Sequence, residues 1–187
     1  MRVLHILNTS TFSGAENVVC QIISMFREDD DIQMIYCSRD GNIRDTLAEK
    51  NIMFEPIMDM TVSELKKVIK KTNPDIIHAH DMKAGYVASK ACGKIPLISH
   101  IHNNAYDSRG ISVKAIAYTF AAKKAKHIFW VSNSSFEGYV FHFFFKKKSS
   151  ILYNIISISS SISPVPIIAI LVPLLFSTTS FKISSNL

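Results

Sequence analysis

The chain has 187 residues, which is enough for one well-buried domain but too few for two domains of ordinary size. Its formal net charge of +6 suits an anionic partner such as a nucleic acid, a membrane surface or a nucleotide sugar, and the sign alone does not choose among them. The three cysteines lack metal-type spacing and leave one unpaired, which excludes a disulfide framework and indicates buried, reduced thiols in a cytoplasmic protein.

Short apolar segments alternate with helix-like segments along most of the chain. The first apolar segment, Val3 to Leu7, predicts a buried strand, and the polar loop behind it leads at Gly14 into a helix. Further strands are predicted at residues 32–38, 52–57, 75–80, 95–102 and 127–132. Further helices are predicted at residues 43–48, 61–71, 82–92, 113–125 and 134–139. This alternation predicts an α/β fold, with a parallel sheet covered by helices on both faces.

Two of the predicted helices carry lysines at surface spacing. These are Lys66, Lys67, Lys70 and Lys71 in one helix, and Lys123, Lys124 and Lys126 at the end of another, whose apolar side holds Ile116, Ala117, Phe120 and Ala121. A solvated face is the simpler interpretation, and peripheral contact with an anionic membrane surface is the alternative. Aromatic residues are not interleaved with the lysines as a stacking platform requires, so nucleic acid is not predicted as a partner.

The composition changes beyond about Val140. Three phenylalanines at residues 143–145 stand beside three lysines at 146–148, and residues 151–156 are compatible with one more strand. Residues 157–187 are serine and aliphatic residues with a single charge, at Lys182. We therefore expect a domain at residues 1–156 and an irregular apolar tail at 157–187 that is not part of the native fold. Its apolar stretch at 165–176 contains two prolines and is shorter than the ~20 residues of a membrane helix, so an anchor is the less favoured interpretation.

The loop at Ser13 and Gly14 is the first candidate for a ligand site. A buried strand, a turn of small residues and a helix N-terminus together place backbone N–H groups where a phosphate can bind. The loop lacks the three glycines of a dinucleotide fingerprint, so NAD binding is not predicted. An ordinary turn is the simpler interpretation of the loop alone, and Glu16 both favours the helix dipole and repels a phosphate.

Four histidines form two H-x-H pairs on strands predicted to be adjacent: His78 with His80, and His100 with His102. Residues two apart on a strand face the same side, so the four could form a metal cluster joined by Asp81. Core histidines hydrogen-bonded to neighbours are the commoner case, and we predict no metal site. Only His80 and His102, at the strand ends, are expected to reach a cleft. His102 can be charged or neutral near neutral pH, which makes it the main functional candidate.

Four segments together resemble the N-terminal domain of family 4 glycosyltransferases. They are MRVLHILNTSTFSGAENVV, PDIIHAHDMKAG, IPLISHIHNN and AKHIFWVSNSS, in this order within residues 1–156. The resemblance implies a Rossmann-like parallel sheet, the N-terminal half of a GT-B fold. It also implies a retaining enzyme that transfers a hexose-type sugar from a nucleotide sugar to a surface-polysaccharide or lipid-linked acceptor, with no cofactor beyond that donor.

The resemblance also assigns roles to residues. His102 matches the histidine that lies beside the donor sugar, and Ser13 and Gly14 match the small residues that approach the donor diphosphate, where the family usually has two glycines. Ser132 and Asn133 match the segment that borders the cleft at the end of the sixth strand.

A second domain of the family normally supplies the basic pair and the acidic residues that hold the donor. We expect this chain to be a truncated product that is inactive alone. Its tail is expected to be read out of frame. A second domain, if there is one, is expected to be separately encoded. The alternatives are a non-catalytic Rossmann-like binding module, or a membrane-tethered protein with the tail as its anchor. The expected location is the cytoplasm, including the inner face of the membrane.

Overall fold

The computed structural model describes residues 1–102 and 109–153. The predicted tail at 157–187 and the last part of the strand predicted at 151–156 lie outside these residues. Within the described ranges, no helix has the length and apolar character needed to span a bilayer.

Seven parallel strands form one sheet in the order β3-β2-β1-β4-β5-β6-β7. The strands are β1 (Arg2–Ile6), β2 (Gln33–Arg39), β3 (Phe54–Ile57), β4 (Ile76–His80), β5 (Leu97–Ile101), β6 (His127–Trp130) and β7 (Ser149–Ile151). All six strands predicted before residue 132 are present, and the seventh begins at Ser149, before the predicted position. The order places β1 beside β4, because the chain returns from β3 across the sheet. A Rossmann-like α/β sheet is therefore confirmed.

In the part of the chain that the structure describes, six α-helices connect or follow the strands. They are α1 (Gly14–Met25), α2 (Ile43–Glu49), α3 (Val62–Thr72), α4 (Met82–Ala91), α5 (Val113–Lys124) and α6 (Asn133–Glu137), and a 3-10 helix (His142–Lys148) precedes β7. Thr61 caps α3 by accepting from the Glu64 N–H, and Asn73 ends that helix in the left-handed conformation at φ 44°. Sequence therefore located the helices well, because caps and turn residues mark most of their ends.

The two faces of the sheet differ in character. Leu4, Ile6, Ile77 and Ala79 alternate toward the face on which α3, α4 and α5 pack, and they belong to one continuous apolar core. The residues between them point to the opposite face, where right-handed crossovers place α1 and α2. On that opposite face β1, β4 and β5 carry histidines.

Of the side of α5 that was predicted as apolar, Ala121 is buried, but the two large side chains are not. Ile116 and Phe120 are 44% and 56% exposed, whereas Ala115, Tyr118 and Ala122 are buried. The prediction was wrong for Ile116 and Phe120 because α5 packs against α4, and alanines permit that close approach while larger side chains point outward. Tyr118 joins the buried side because its hydroxyl reaches the Ser99 hydroxyl of β5 at 2.7 Å.

The Ser99–Tyr118 hydrogen bond connects α5 to the sheet within the core. We expect Tyr118→Phe to lower the free energy of unfolding by about 1–2 kcal/mol, because the Ser99 hydroxyl is then buried without its partner. Ser99→Ala should cost a similar amount, and the double variant should cost less than the sum of the two. Denaturant unfolding of the four proteins measures this coupling, and strictly additive costs would contradict it.

Candidate functional site

The carboxyl ends of four neighbouring strands lie along one edge of the sheet. The loop after β1, Asp81 after β4, His102 after β5 and Ser132 after β6 are brought to this edge by the strand order. In open parallel sheets this edge is where ligands bind, beside the point at which the strand order reverses.

The loop after β1 is organised around a buried carboxylate. Glu16 is 2% exposed, and its two oxygens accept hydrogen bonds from the hydroxyls of Thr9 and Ser13. Ser13 occupies the N-cap position of α1, but its hydroxyl makes no hydrogen bond to the N–H groups of the first turn. Gly14 follows as an exposed residue, with no atom within 4 Å of the position that a Cβ would occupy. The α1 N-terminus is thus open, with its side-chain cap engaged elsewhere.

Asp81 joins the ends of β1 and β4. One carboxylate oxygen accepts from the Ala84 N–H at 2.7 Å and caps α4, and the other accepts from the Asn8 N–H at 3.3 Å. Its backbone has φ 86° and ψ 163°, a region that is essentially restricted to glycine. Burial raises the pKa of the Asp81 carboxyl to about 6, against the opposing effect of the hydrogen bonds from Ala84 and Asn8. The strained backbone of Asp81 is therefore held in place by the hydrogen bonds that its carboxylate accepts from Ala84 and Asn8.

Five histidines form a layer on the face opposite the main core. The register pairs His5 with His78 and His80 with His100, and His102 follows β5 directly. The His5 Nδ1 lies 3.0 Å from the His80 Nε2, and the His80 Nδ1 lies 3.0 Å from the His102 Nε2. The rings of His100 and His102 are 4.1 Å apart between centroids. The predicted adjacency of the two H-x-H pairs is confirmed, and His5 is a fifth member.

Four of the five histidines are buried, and His102 alone among them is partly exposed. His80 is 0% exposed, so the prediction that it reaches a cleft was wrong, because His5 and His102 cover its two nitrogens. His102 is half-buried at the edge. Burial lowers the pKa of His102 to about 4, although the nearby charge of Glu16 acts to raise it. Of the two charge states that the sequence left open, His102 is therefore neutral at neutral pH.

Ser132 and Asn133 begin α6 at the same edge. The Ser132 hydroxyl accepts from the Ser135 N–H at 3.0 Å, and the Ser135 hydroxyl lies 3.2 Å from the Ser132 N–H, which completes a capping box. The described hydrogen bonds of Ser132 lie within this first turn. The Val131 N–H donates to the Ile101 carbonyl, so the segment is fixed beside the end of β5. Ser132 therefore caps α6 and holds the start of this helix beside β5.

Sequence reasoning missed His5 entirely and treated Asp81 and Glu16 as minor residues. His5 lies on a short aliphatic strand, and only the knowledge that β1 pairs with β4 would have placed it against His78. The backbone strain at Asp81 leaves no signal in composition or spacing, since glycine is the residue expected at such φ and ψ values.

A parallel sheet in this order, with loops and a helix N-terminus gathered at its carboxyl edge, defines a Rossmann-like domain. The chain belongs to glycosyltransferase family 4: the model of that family matches residues 12–160. Comparison with curated proteins gives no match.

Several solved structures share the fold. HepE from Anabaena, in complex with UDP-glucose, is 19% identical with a TM-score of 0.69, over 82% of this chain and 44% of its own. The lipopolysaccharide outer core galactosyltransferase WaaB, in its apo form, is 22% identical with a TM-score of 0.65, over 87% of this chain and 48% of its own. The UDP-GlcNAc 2-epimerase from Neisseria meningitidis, bound to UDP-GlcNAc, is 15% identical with a TM-score of 0.62, over 95% of this chain and 51% of its own. The chain thus spans about half the length of these proteins, one of which is an epimerase, so the fold alone does not decide the chemistry.

The backbone strain at Asp81 can be separated from its hydrogen bonds. Asp81→Ala and Asp81→Gly both remove the carboxylate that binds Ala84 and Asn8, but only glycine relieves the conformation at φ 86°. We expect the glycine variant to be more stable than the alanine variant by about 1–3 kcal/mol in denaturant unfolding. The same pair of substitutions at Asn73, where φ is 44°, serves as a control with a smaller expected difference. Equal stability of the two Asp81 variants would contradict the assignment of strain.

Proposed function

We propose that residues 1–156 are the acceptor-side domain of a glycosyltransferase that transfers a hexose-type sugar from a nucleotide sugar to a surface-polysaccharide or lipid-linked acceptor. Membership of glycosyltransferase family 4 supports the reaction class. The complexes of HepE with UDP-glucose and with UDP support a uridine nucleotide as the first donor to test.

The observation that carries the proposal is the open N-terminus of α1. Side chains cap α3, α4, α5 and α6, whereas α1 and α2 have no side-chain cap. Of these two, α1 begins at the carboxyl edge next to β1, and its N-cap residue Ser13 donates its hydroxyl hydrogen to Glu16 instead. Orphan N–H groups and the helix dipole attract a phosphate oxygen. The open space at Gly14 lets a diphosphate come close to the backbone. We assign Ser13 and Gly14 to the diphosphate side of the donor site.

His102 supports a positioning role next to the donor sugar. Its imidazole is neutral, so it can hydrogen-bond a sugar hydroxyl but cannot offset the charge of a departing nucleoside diphosphate. Glu16, close to His102, adds negative charge on this side of the site. Electrostatic stabilisation of the leaving group must therefore come from elsewhere, and we assign it to a second domain, encoded in the same or a separate chain. We place Ser132 and Asn133 at the border of the resulting cleft.

The two-domain proposal predicts weak donor binding by this chain alone. In calorimetric titration with UDP-glucose, the 187-residue chain should bind no more tightly than about 1 mM, because it lacks most contacts to the diphosphate. Joining the second domain of a family 4 glycosyltransferase after residue 156 should tighten binding and give UDP release in the presence of acceptor. Micromolar binding by the chain alone would show that the donor site is complete without a partner.

Gly14 and His102 are the residues to change in that fusion. Gly14→Ala should leave the stability unchanged or raise it by about 0.5 kcal/mol, because nothing lies near the added methyl group, yet it should weaken UDP-glucose binding. Gly110→Ala is the matched control, since the space around that glycine is equally open. His102→Ala should lower kcat by about 10–100-fold through loss of positioning. Unaltered donor binding in Gly14→Ala, at unaltered stability, would remove the loop from the donor site.

We also propose peripheral contact with the inner face of the membrane, through the exposed side of α5. Val113, Ile116 and Phe120 are exposed there, and the Lys123 ammonium lies 5.9 Å from the Phe120 ring centroid. Apolar side chains beside lysines are the combination that binds anionic lipid surfaces. The lysines of α3 support this contact less well, since Lys67 and Lys71 form ion pairs with Glu64 and Glu55.

Vesicle flotation tests this contact. Phe120→Ser should reduce binding of the full chain to vesicles that contain phosphatidylserine, while binding to neutral phosphatidylcholine vesicles should be weak throughout. Met58→Ser is the matched control, because Met58 is exposed but lies outside α5. Equal flotation of the two variants would exclude α5 as the contact surface. A truncation at residue 156 then shows whether the tail contributes, as the membrane-tethered alternative requires.

A further inference from the structure

The histidine layer contains more polar atoms than it can satisfy internally. Ten ring nitrogens belong to the five histidines, and two hydrogen bonds occupy four of them. Within the described residues the remaining six have no hydrogen-bond partner: the His5 Nε2, the His102 Nδ1, and both nitrogens of His78 and His100. Each buried polar group left in this way costs about 1–3 kcal/mol. The layer therefore has six ring nitrogens available to an additional partner.

Two sets of three histidines offer converging nitrogens. His80, His100 and His102 each present one ring nitrogen within 4.8 Å of the others, and so do His5, His78 and His80. The first set is at the carboxyl edge, where the half-buried His102 gives an ion a route from solvent. The second set is fully buried. The two sets share His80, which faces His102 through its Nδ1 and His5 through its Nε2.

We propose that His80, His100 and His102 form a binding site for a divalent transition-metal ion of the zinc class. Imidazole nitrogens are preferred ligands of Zn²⁺, Cu²⁺ and Ni²⁺, and three histidines with one open position are a recurrent zinc arrangement. Tetrahedral zinc needs ligand nitrogens about 3.3 Å apart, given Zn–N distances of about 2.0–2.1 Å, so side-chain rotations bring the three nitrogens to the ion. This site does not depend on the proposed glycosyl transfer.

The surroundings of the three histidines suit a cation. One ring nitrogen from each of His80, His100 and His102 converges at the carboxyl edge, where the His80 Nδ1 lies 3.0 Å from the His102 Nε2. Glu16 and Asp81 are acidic and close to the edge, and neither forms an ion pair with a described basic residue. The His80 ring also contacts His5 through its second nitrogen, which is the kind of outer hydrogen bond that orients a metal-binding histidine. The site therefore has ligands, nearby negative charge and support for one ligand.

Metal titration of the full chain, with any affinity tag removed and the cysteines kept reduced, tests the site. We expect one equivalent of Zn²⁺ to bind with a Kd in the micromolar range or tighter, measured by competition with a chromophoric chelator. Co²⁺ should give the visible absorption of a four-coordinate ion without thiolate charge-transfer bands. X-ray absorption of the zinc-loaded protein should show three imidazole ligands.

Matched histidine variants locate the site. His102→Gln should weaken Zn²⁺ binding at least tenfold, whereas His78→Gln, which removes a member of the buried set only, should change it less than threefold. His142→Gln and His127→Gln report surface binding and should have no effect. Loss of binding in His78→Gln with retention in His102→Gln would move the ion to the buried set and overturn the assignment. Binding weaker than about 100 μM, or insensitivity to both variants, would indicate an adventitious ion only.

Folding of the variants is checked by circular dichroism. If His102→Gln does not fold, the imidazole number from X-ray absorption of the native chain decides the outcome. Three imidazoles, together with retained binding in His78→Gln, sustain the proposal, and two or fewer overturn it. Titration with UDP-glucose is a separate measurement, so failure of zinc binding and failure of the donor proposal are distinguishable.

Discussion

The parallel register between β1, β4 and β5 is the constraint on which the candidate site depends. It sets His5 opposite His78 and His80 opposite His100, and it brings Asn8, Asp81 and His102 to one edge. A shift of one residue in β4 would turn its histidines into the apolar core and its isoleucines outward. The long crossover from β3 to β4 fixes this pairing, since it places β4 beside the first strand rather than the third.

Stability and site occupy opposite faces of the same strands. Leu4, Ile6, Ile77 and Ala79 pack with α3, α4 and α5 in a continuous apolar core, and burial of such side chains is the main favourable term in folding. The histidines between them face the other way and bring unsatisfied nitrogens into the interior. Because side chains alternate along a strand, the apolar face can stabilise the fold while the opposite face carries histidines that packing does not require.

Much of the fold was predictable, because apolar runs, caps and turn residues are local signals. Thr61 and Asn73 bound α3, and the spacing of the two H-x-H pairs placed four imidazoles on one side of neighbouring strands. The predictions that failed depended on tertiary packing. Contact with α4 determines which side of α5 is buried, and His5, on a strand distant in sequence, covers one nitrogen of His80. The strain at Asp81 could not be predicted, since the two carboxylate oxygens accept from Ala84 and from Asn8, and Asn8 is distant in sequence.

The hydrogen-bonded series His5, His80 and His102 has only two proton arrangements when no ion is bound. Each neutral ring carries one proton, and His80 must donate through one nitrogen and accept through the other. In one arrangement every proton points toward the edge and the His102 Nδ1 is a donor; in the other every proton points inward and the same atom is an acceptor. The tautomer of His5, on the first strand, is therefore coupled to the hydrogen bond that His102 can make with a hydroxyl group. In one arrangement the His102 Nδ1 donates to the hydroxyl oxygen, and in the other it accepts the hydroxyl hydrogen.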